Sequence, residues 1–132
     1  MTTNINLRAT RAYFENHLDL EQCFAYVSPA VIWHGFAGMP TTYDAWKGAQ
    51  VMFITALPDM TITIDSEAVE NDRVATRWTC RGTHLGPLMG IPATGKRVAF
   101  RGISIDCVKH GNITEHWVQH DQMSLMQQLG ML

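Results

Sequence analysis

Apolar residues recur every three to four positions in the first half of the chain and every second position in the second half, so helices should precede strands. Leu7, Ala9 or Thr10, Tyr13 and Phe14 mark the buried stripe of a first helix that Thr3 or Asn4 can cap. The pattern breaks near Asn16–His17. Asp19-Leu20-Glu21-Gln22 then has the form of a capping box and predicts a short second helix ending by Tyr26–Pro29. Ala30 to Trp33 reads as an edge strand, and Gly35, Gly38 and Pro40 make the next stretch a loop. Thr41 to Asp44 caps a third helix carrying Trp46, Ala49 or Gln50, Phe53 and Leu57, which Pro58 closes.

From Met60 the period is two. Thr61 to Ile64 alternates, Glu70-Asn71-Asp72 turns, and Val74 to Thr83 alternates again. A glycine- and proline-rich loop occupies Gly86 to Gly95. Arg97 to Val108 and Ile113 to His120 are strands joined by a hairpin turn at His110-Gly111-Asn112. Helices followed by a meander of long strands predict an α+β fold, with the helices laid on one face of a curved sheet.

The length of 132 residues suits one domain over 1–132. A 46% hydrophobic content permits a packed core, and the net charge of −2 with no basic run disfavours a nucleic-acid partner. No apolar run approaches the roughly 20 residues that span a bilayer. Met1 to Leu7 is polar and lacks a signal-peptide layout, and Cys23, Cys80 and Cys107 form no close pair, so a cytoplasmic protein without a disulfide framework is expected.

Arg81-Gly82-Thr83-His84-Leu85-Gly86, Gly90 to Lys96, Gly102-Ile103, Gly111 to Trp117 and the Asp121…Leu125…Gln128-Leu129-Gly130 tail resemble the SnoaL-like polyketide cyclases. The resemblance covers the whole chain. It implies the nuclear transport factor two-like fold: a cone-shaped, curved antiparallel or mixed sheet with three helices on its concave side and a pocket between. It also implies a cofactor-free intramolecular aldol condensation with one aspartate as acid and base, and a homodimer through the outer sheet face. The aspartate follows the last strand in a Glu-x-Trp-x-x-x-Asp context, matched here by Glu115, Trp117 and Asp121.

On a strand, Trp117, Gln119 and Asp121 share one face and His116, Val118 and His120 the other. If the first set faces the cone, Asp121 is a desolvated carboxyl suited to proton transfer; otherwise it caps a C-terminal turn over Gln122 to Gln128. His34 is the expected second catalytic group, positioning a substrate carbonyl, although a loop histidine bonded to backbone fits equally. Only one of His34 and Trp33 can face the pocket, and His34 is the one expected there. Trp33, Trp78, Trp117, Gln119 and, at the rim, His84 are the expected substrate contacts; His84 can equally be conformational. Arg77 points away from Trp78, towards an acidic partner in a dimer or into solvent.

His116 and His120 are four apart, about 13 Å along a strand, so they do not coligate a metal. No His-Glu-x-x-His or Gly-x-Ser-x-Gly occurs, and Thr94-Gly95-Lys96 lacks the spacing of a phosphate loop. The expectation is an enzyme abstracting a proton next to a carbonyl of a small hydrophobic molecule. The rivals are a ketosteroid-isomerase-like isomerase and a non-catalytic binding or assembly module of the same fold.

Overall fold

The computed structural model describes residues 4–131. Asn4 caps α1 (Ile5–Glu15), its side chain accepting from the Asn6 amide at 2.9 Å; Thr3, the alternative cap, lies outside the described residues. α2 is a single turn, Leu20–Cys23, capped by Asp19. β1 (Val27–His34) begins three residues before the expected strand and includes Pro29, which an edge strand tolerates because its missing amide leaves no ladder bond unmade. α3 (Tyr43–Ala56) follows a Thr42 cap. The meander comprises β2 (Thr61–Glu70), β3 (Arg73–Thr83), β4 (Arg97–Lys109) and β5 (Asn112–His120). A fourth helix, α4 (Gln122–Gln128), ends the described fold.

The sheet is mixed, in the order β1-β5-β4-β3-β2, with β1 parallel to β5 and the other pairs antiparallel. β4 and β5 meet at His110-Gly111, both at positive φ, which suits a tight hairpin whose twist matches its strands. α1 packs across β2 to β5 and α3 against β1, so the helices cover one face. No helix among the described residues is long and apolar enough to cross a membrane.

One irregularity decides which residues the helices cover. β4 alternates as far as Asp106: Val98, Phe100, Ser104 and Asp106 are buried, while Ile103 and Ile105 are exposed; beyond it Cys107 and Val108 are both buried. Val108 pairs with Ile113, yet Cys107 pairs with Glu115, so Thr114 is an extra residue on β5. Its hydroxyl donates to the Cys107 carbonyl at 3.2 Å, which pins the bulge. Because the side-chain period is two, one inserted residue inverts every later position. Ile113 is buried, and after the bulge His116, Val118 and His120 point inward, where uninterrupted alternation would have placed Glu115, Trp117 and Gln119. A second bulge, between Ile64 and Ser66 of β2, adds to the sheet's bend.

Candidate functional site

Between α1, α3 and the inner sheet face lies a cavity of about 70 Å³. Tyr13, Phe14 and His17 enter it from α1, and Trp46, Gln50 and Phe53 from α3. The sheet supplies Trp33, Trp78 and Phe100 together with the inward face of β5. Two of the indoles lie flat on glycines: a Cβ on Gly35 would overlap the Trp33 ring, and one on Gly102 the Trp78 ring. Phe14, His17, Met60 and Ile62 also border a wider hollow of about 430 Å³ that Glu15, Asn16 and Asp19 rim. His17 therefore stands at the throat between an outer vestibule and the inner cavity.

The polar groups in this apolar wall are tied to one another, as buried donors and acceptors must be. Trp46 Nε1 donates to the Tyr13 hydroxyl at 3.0 Å, which donates to Gln50 Oε1 at 3.1 Å. Gln50 Nε2 then donates to the His17 carbonyl at 3.0 Å. Burial raises the Tyr13 hydroxyl well above its ordinary range, so it stays protonated. His17 Nδ1 donates to the Tyr13 carbonyl at 3.1 Å, and burial pushes its pKa down to about 4, which keeps the ring neutral. His120 Nε2 donates to Gln122 Oε1 at 2.6 Å, and burial lowers this ring too.

His116 differs. Its Nδ1 lies 2.5 Å from Asp106 Oδ1, and its ring stacks on Trp46 with 4.2 Å between centroids. Both residues are within 2% of full burial. Asp106 and His116 are direct cross-strand partners, so the pairing is set by backbone register. Asp106 Oδ2 and Thr76 Oγ1 have no partner, an omission that costs about 1–3 kcal/mol per buried group. Among the described residues His116 Nε2 has no hydrogen-bond partner either, but it is not sealed off as those two atoms are, and the residue lines the cavity.

The residues expected from sequence divide between the two sheet faces. Trp33 and Trp78 line the cavity, and Trp78 Nε1 donates to Ser104 Oγ at 3.0 Å. His34 does not: β1 runs beside β5 with Trp33 next to His116 and His34 next to Trp117, so His34 lies on the outer face. There His34 Nε2 is 2.7 Å from Glu115 Oε2, its ring stacks on Trp117, and Arg73 sits over the same indole. Trp117 and the exposed Gln119 share that outer face, against expectation, because the Thr114 bulge inverts β5. Arg77 is there as well, 3.4 Å from Ser66 Oγ.

Asp121 is exposed and caps α4, accepting from the Ser124 amide at 3.0 Å; it is not part of the cavity wall. His84 is buried with its Nδ1 accepting from the Thr94 amide, so it clasps the loop between β3 and β4 instead of lining the pocket. No set of three or more His, Cys, Asp or Glu side chains among the described residues is placed to hold a metal ion. Sequence reasoning gave Asp106 and His17 no role, and weighed His116 and His120 only as a metal pair, which it rejected. The signal was the second face of β5; its direction hung on a bulge that no residue announces.

A family model described as SnoaL-like polyketide cyclase matches residues 4–129. IdmH of Streptomyces antibioticus, a proposed polyketide cyclase, is 30% identical over 95% of this chain and 96% of its own, with a TM-score of 0.77. AclR of Streptomyces galilaeus, a proposed hydroxylase, is 28% identical over 89% of this chain and 77% of its own, with a TM-score of 0.81. TsrD of Streptomyces laurentii shares the fold at a TM-score of 0.86 with 24% identity, covering 100% of both chains. No curated protein matches.

Proposed function

The chain belongs to the SnoaL-like polyketide cyclase family and has its nuclear transport factor two-like fold, and on that footing we propose an acid/base enzyme acting on a hydrophobic, carbonyl-bearing small molecule. The reaction is proton abstraction next to a carbonyl followed by intramolecular aldol ring closure. The observation that carries this reading is an aromatic-walled cavity lined by the imidazoles of His17, His116 and His120. Low polarity around such groups strengthens their interaction with charge developing on a substrate oxygen.

Trp33 and Trp78 supply the apolar walls against which a planar substrate packs. An inner space of about 70 Å³ is below the roughly 300–1,000 Å³ of small-molecule sites, so a substrate occupies the 430 Å³ vestibule as well and passes His17. Two acid/base assignments compete. Resemblance implies Asp121, which would have to leave its cap to reach the cavity; the cavity wall offers His116 with Asp106. The outer face, with Ile103 54% exposed beside Ile105, Trp117 and the His34–Glu115 pair, suits the homodimer contact that the family implies.

The test is to mix the protein with linear and partly cyclised aromatic polyketones, following tryptophan fluorescence for binding and chromatography with mass detection for conversion. Saturable quenching with formation of an isomer of unchanged mass supports the enzyme. Saturable quenching without conversion makes the chain a binding module, and absence of both refutes the reading.

A further inference from the structure

We infer that His116 is the proton-abstracting group of the cavity, that Asp106 is the positioning residue behind it, and that Asp121 acts only as a helix cap. The inference rests on the proton-transfer reading above and names the residues that carry it. With the Asp106 carboxyl as the acceptor of this contact, the proton of the neutral imidazole sits on Nδ1 and Nε2 keeps its lone pair. A carboxylate behind an imidazole fixes the tautomer and stabilises the imidazolium formed when the ring takes a proton. Stacking on Trp46 and contact with Tyr13 hold the ring plane, so Nε2 has one direction.

The other cavity groups are worse bases. His17 has its Nδ1 on a backbone carbonyl and is held neutral down to about pH 4, and no anion stands behind it. His120 donates to an uncharged amide and is likewise disfavoured as a cation by burial. The Tyr13 hydroxyl is already engaged by Trp46 and Gln50. Around His116 the titratable groups on the packed elements are Asp106 on β4, Tyr13 and His17 on α1, Cys23 on α2 and Cys80 on β3. Burial keeps Tyr13 and both thiols protonated and His17 neutral. That leaves Asp106 as the acidic side chain in direct contact with the ring.

The step balances within the substrate and one imidazole. A C–H bond next to a carbonyl breaks, its proton passes to Nε2, and its electron pair moves onto the carbonyl oxygen. The resulting enolate carbon bonds to a second carbonyl carbon, whose π pair becomes an alkoxide. Nε2–H returns the proton to that alkoxide, so the product is an isomer of the substrate.

Two readouts test this. Nitrogen-detected NMR of the ligand-free protein should show His116 protonated at Nδ1 when neutral, and Asp106→Asn should move the His116 titration to lower pH. With a converted substrate, His116→Gln should lower kcat about 10²–10⁴-fold. Asp106→Asn should lower kcat and shift the acid limb of kcat/KM to lower pH, with partial recovery in Asp106→Glu. Asp121→Asn keeps an equally good cap and should stay within about two-fold of wild type. An Nε2–H tautomer for His116 overturns the inference whether or not a substrate is found. Loss of activity in a folded Asp121→Asn, with His116→Gln still active, overturns it while leaving the cyclase reading intact. The expected tautomer with binding but no turnover overturns both.

Discussion

Replacing Gly102 by alanine probes the wall of the cavity without touching its acid/base groups. The glycine lies under the Trp78 indole, and a Cβ there would overlap the six-membered ring. Backbone on β4 is locked on both sides, opposite Trp78 in β3 and His120 in β5, so the ring must give way. Its displacement breaks the 3.0 Å bond from Nε1 to Ser104 Oγ, worth about 1 kcal/mol. Overpacking costs about 1–3 kcal/mol in addition. The cavity beside the ring absorbs part of the shift, so we expect a net loss of about 2–3 kcal/mol. At about 4 °C per kcal/mol for a chain of this size, the melting midpoint should fall by roughly 8–12 °C. Circular dichroism melts supply the midpoint, and near-ultraviolet signals from Trp78 the displacement. The companion variant Trp78→Phe/Gly102→Ala removes the overlapping ring and should recover much of the loss, a coupling that a double-mutant cycle isolates. A Gly102→Ala protein melting within 2 °C of wild type and binding ligand normally would refute the close packing of Trp78 on β4.

Burial holds His17 near a pKa of about 4 against 6.5 for a free ring, so the unfolded chain binds the extra proton more readily. This contribution is complete above about pH 6.5 and is lost as pH falls towards 4; for a ring at a half-open throat it amounts to about 1–2 kcal/mol. Urea unfolding at pH 7 and pH 5 should show that loss, and His17→Asn should flatten it; equal slopes in both proteins would contradict the burial. Deleting Thr114 removes the extra residue and should leave β5 in simple alternation with Ile113, His116 and Val118 still inward, so native tryptophan spectra are expected; a folded protein in which Trp117 has turned inward would refute the bulge as the switch. If the outer sheet face forms the proposed dimer, Ile103→Glu places a charge at its centre and should leave monomers by light scattering, with the fold unchanged by circular dichroism; a wild type that is itself monomeric, or a dimer that persists in the variant, would refute that contact.

Much of this molecule was legible in the chain. Helical spacing of Leu7, Tyr13 and Phe14 and of Trp46, Ala49 and Phe53 marked α1 and α3, and the switch to period two at Met60 marked the meander. Caps at Asn4, Asp19 and Thr42 followed from side chains that bond free amides, a local matter. The hairpin at His110-Gly111 followed from residues that accept positive φ. The motifs from Arg81 to Gly130 were enough to point to the family. Each of these depends on residues within a turn or two of one another.

Which face meets the helices was decided elsewhere. Alternation divides a strand into two sets but does not say which set is inside, and Trp33 against His34, or His116 against Trp117, are equally good partitions by composition. The choice fell to pairing across strands: a single extra residue at Thr114 reversed β5 relative to β4, and β1 took its phase from β5 through parallel pairing. That reversal carried Trp117, Gln119 and His34 to the outer surface, left Asp121 at the cap of α4, and brought His116 against Asp106. Local propensity sets the elements because it depends on neighbours along the chain; the site is set by register, a relation between residues far apart in sequence that only the folded sheet fixes.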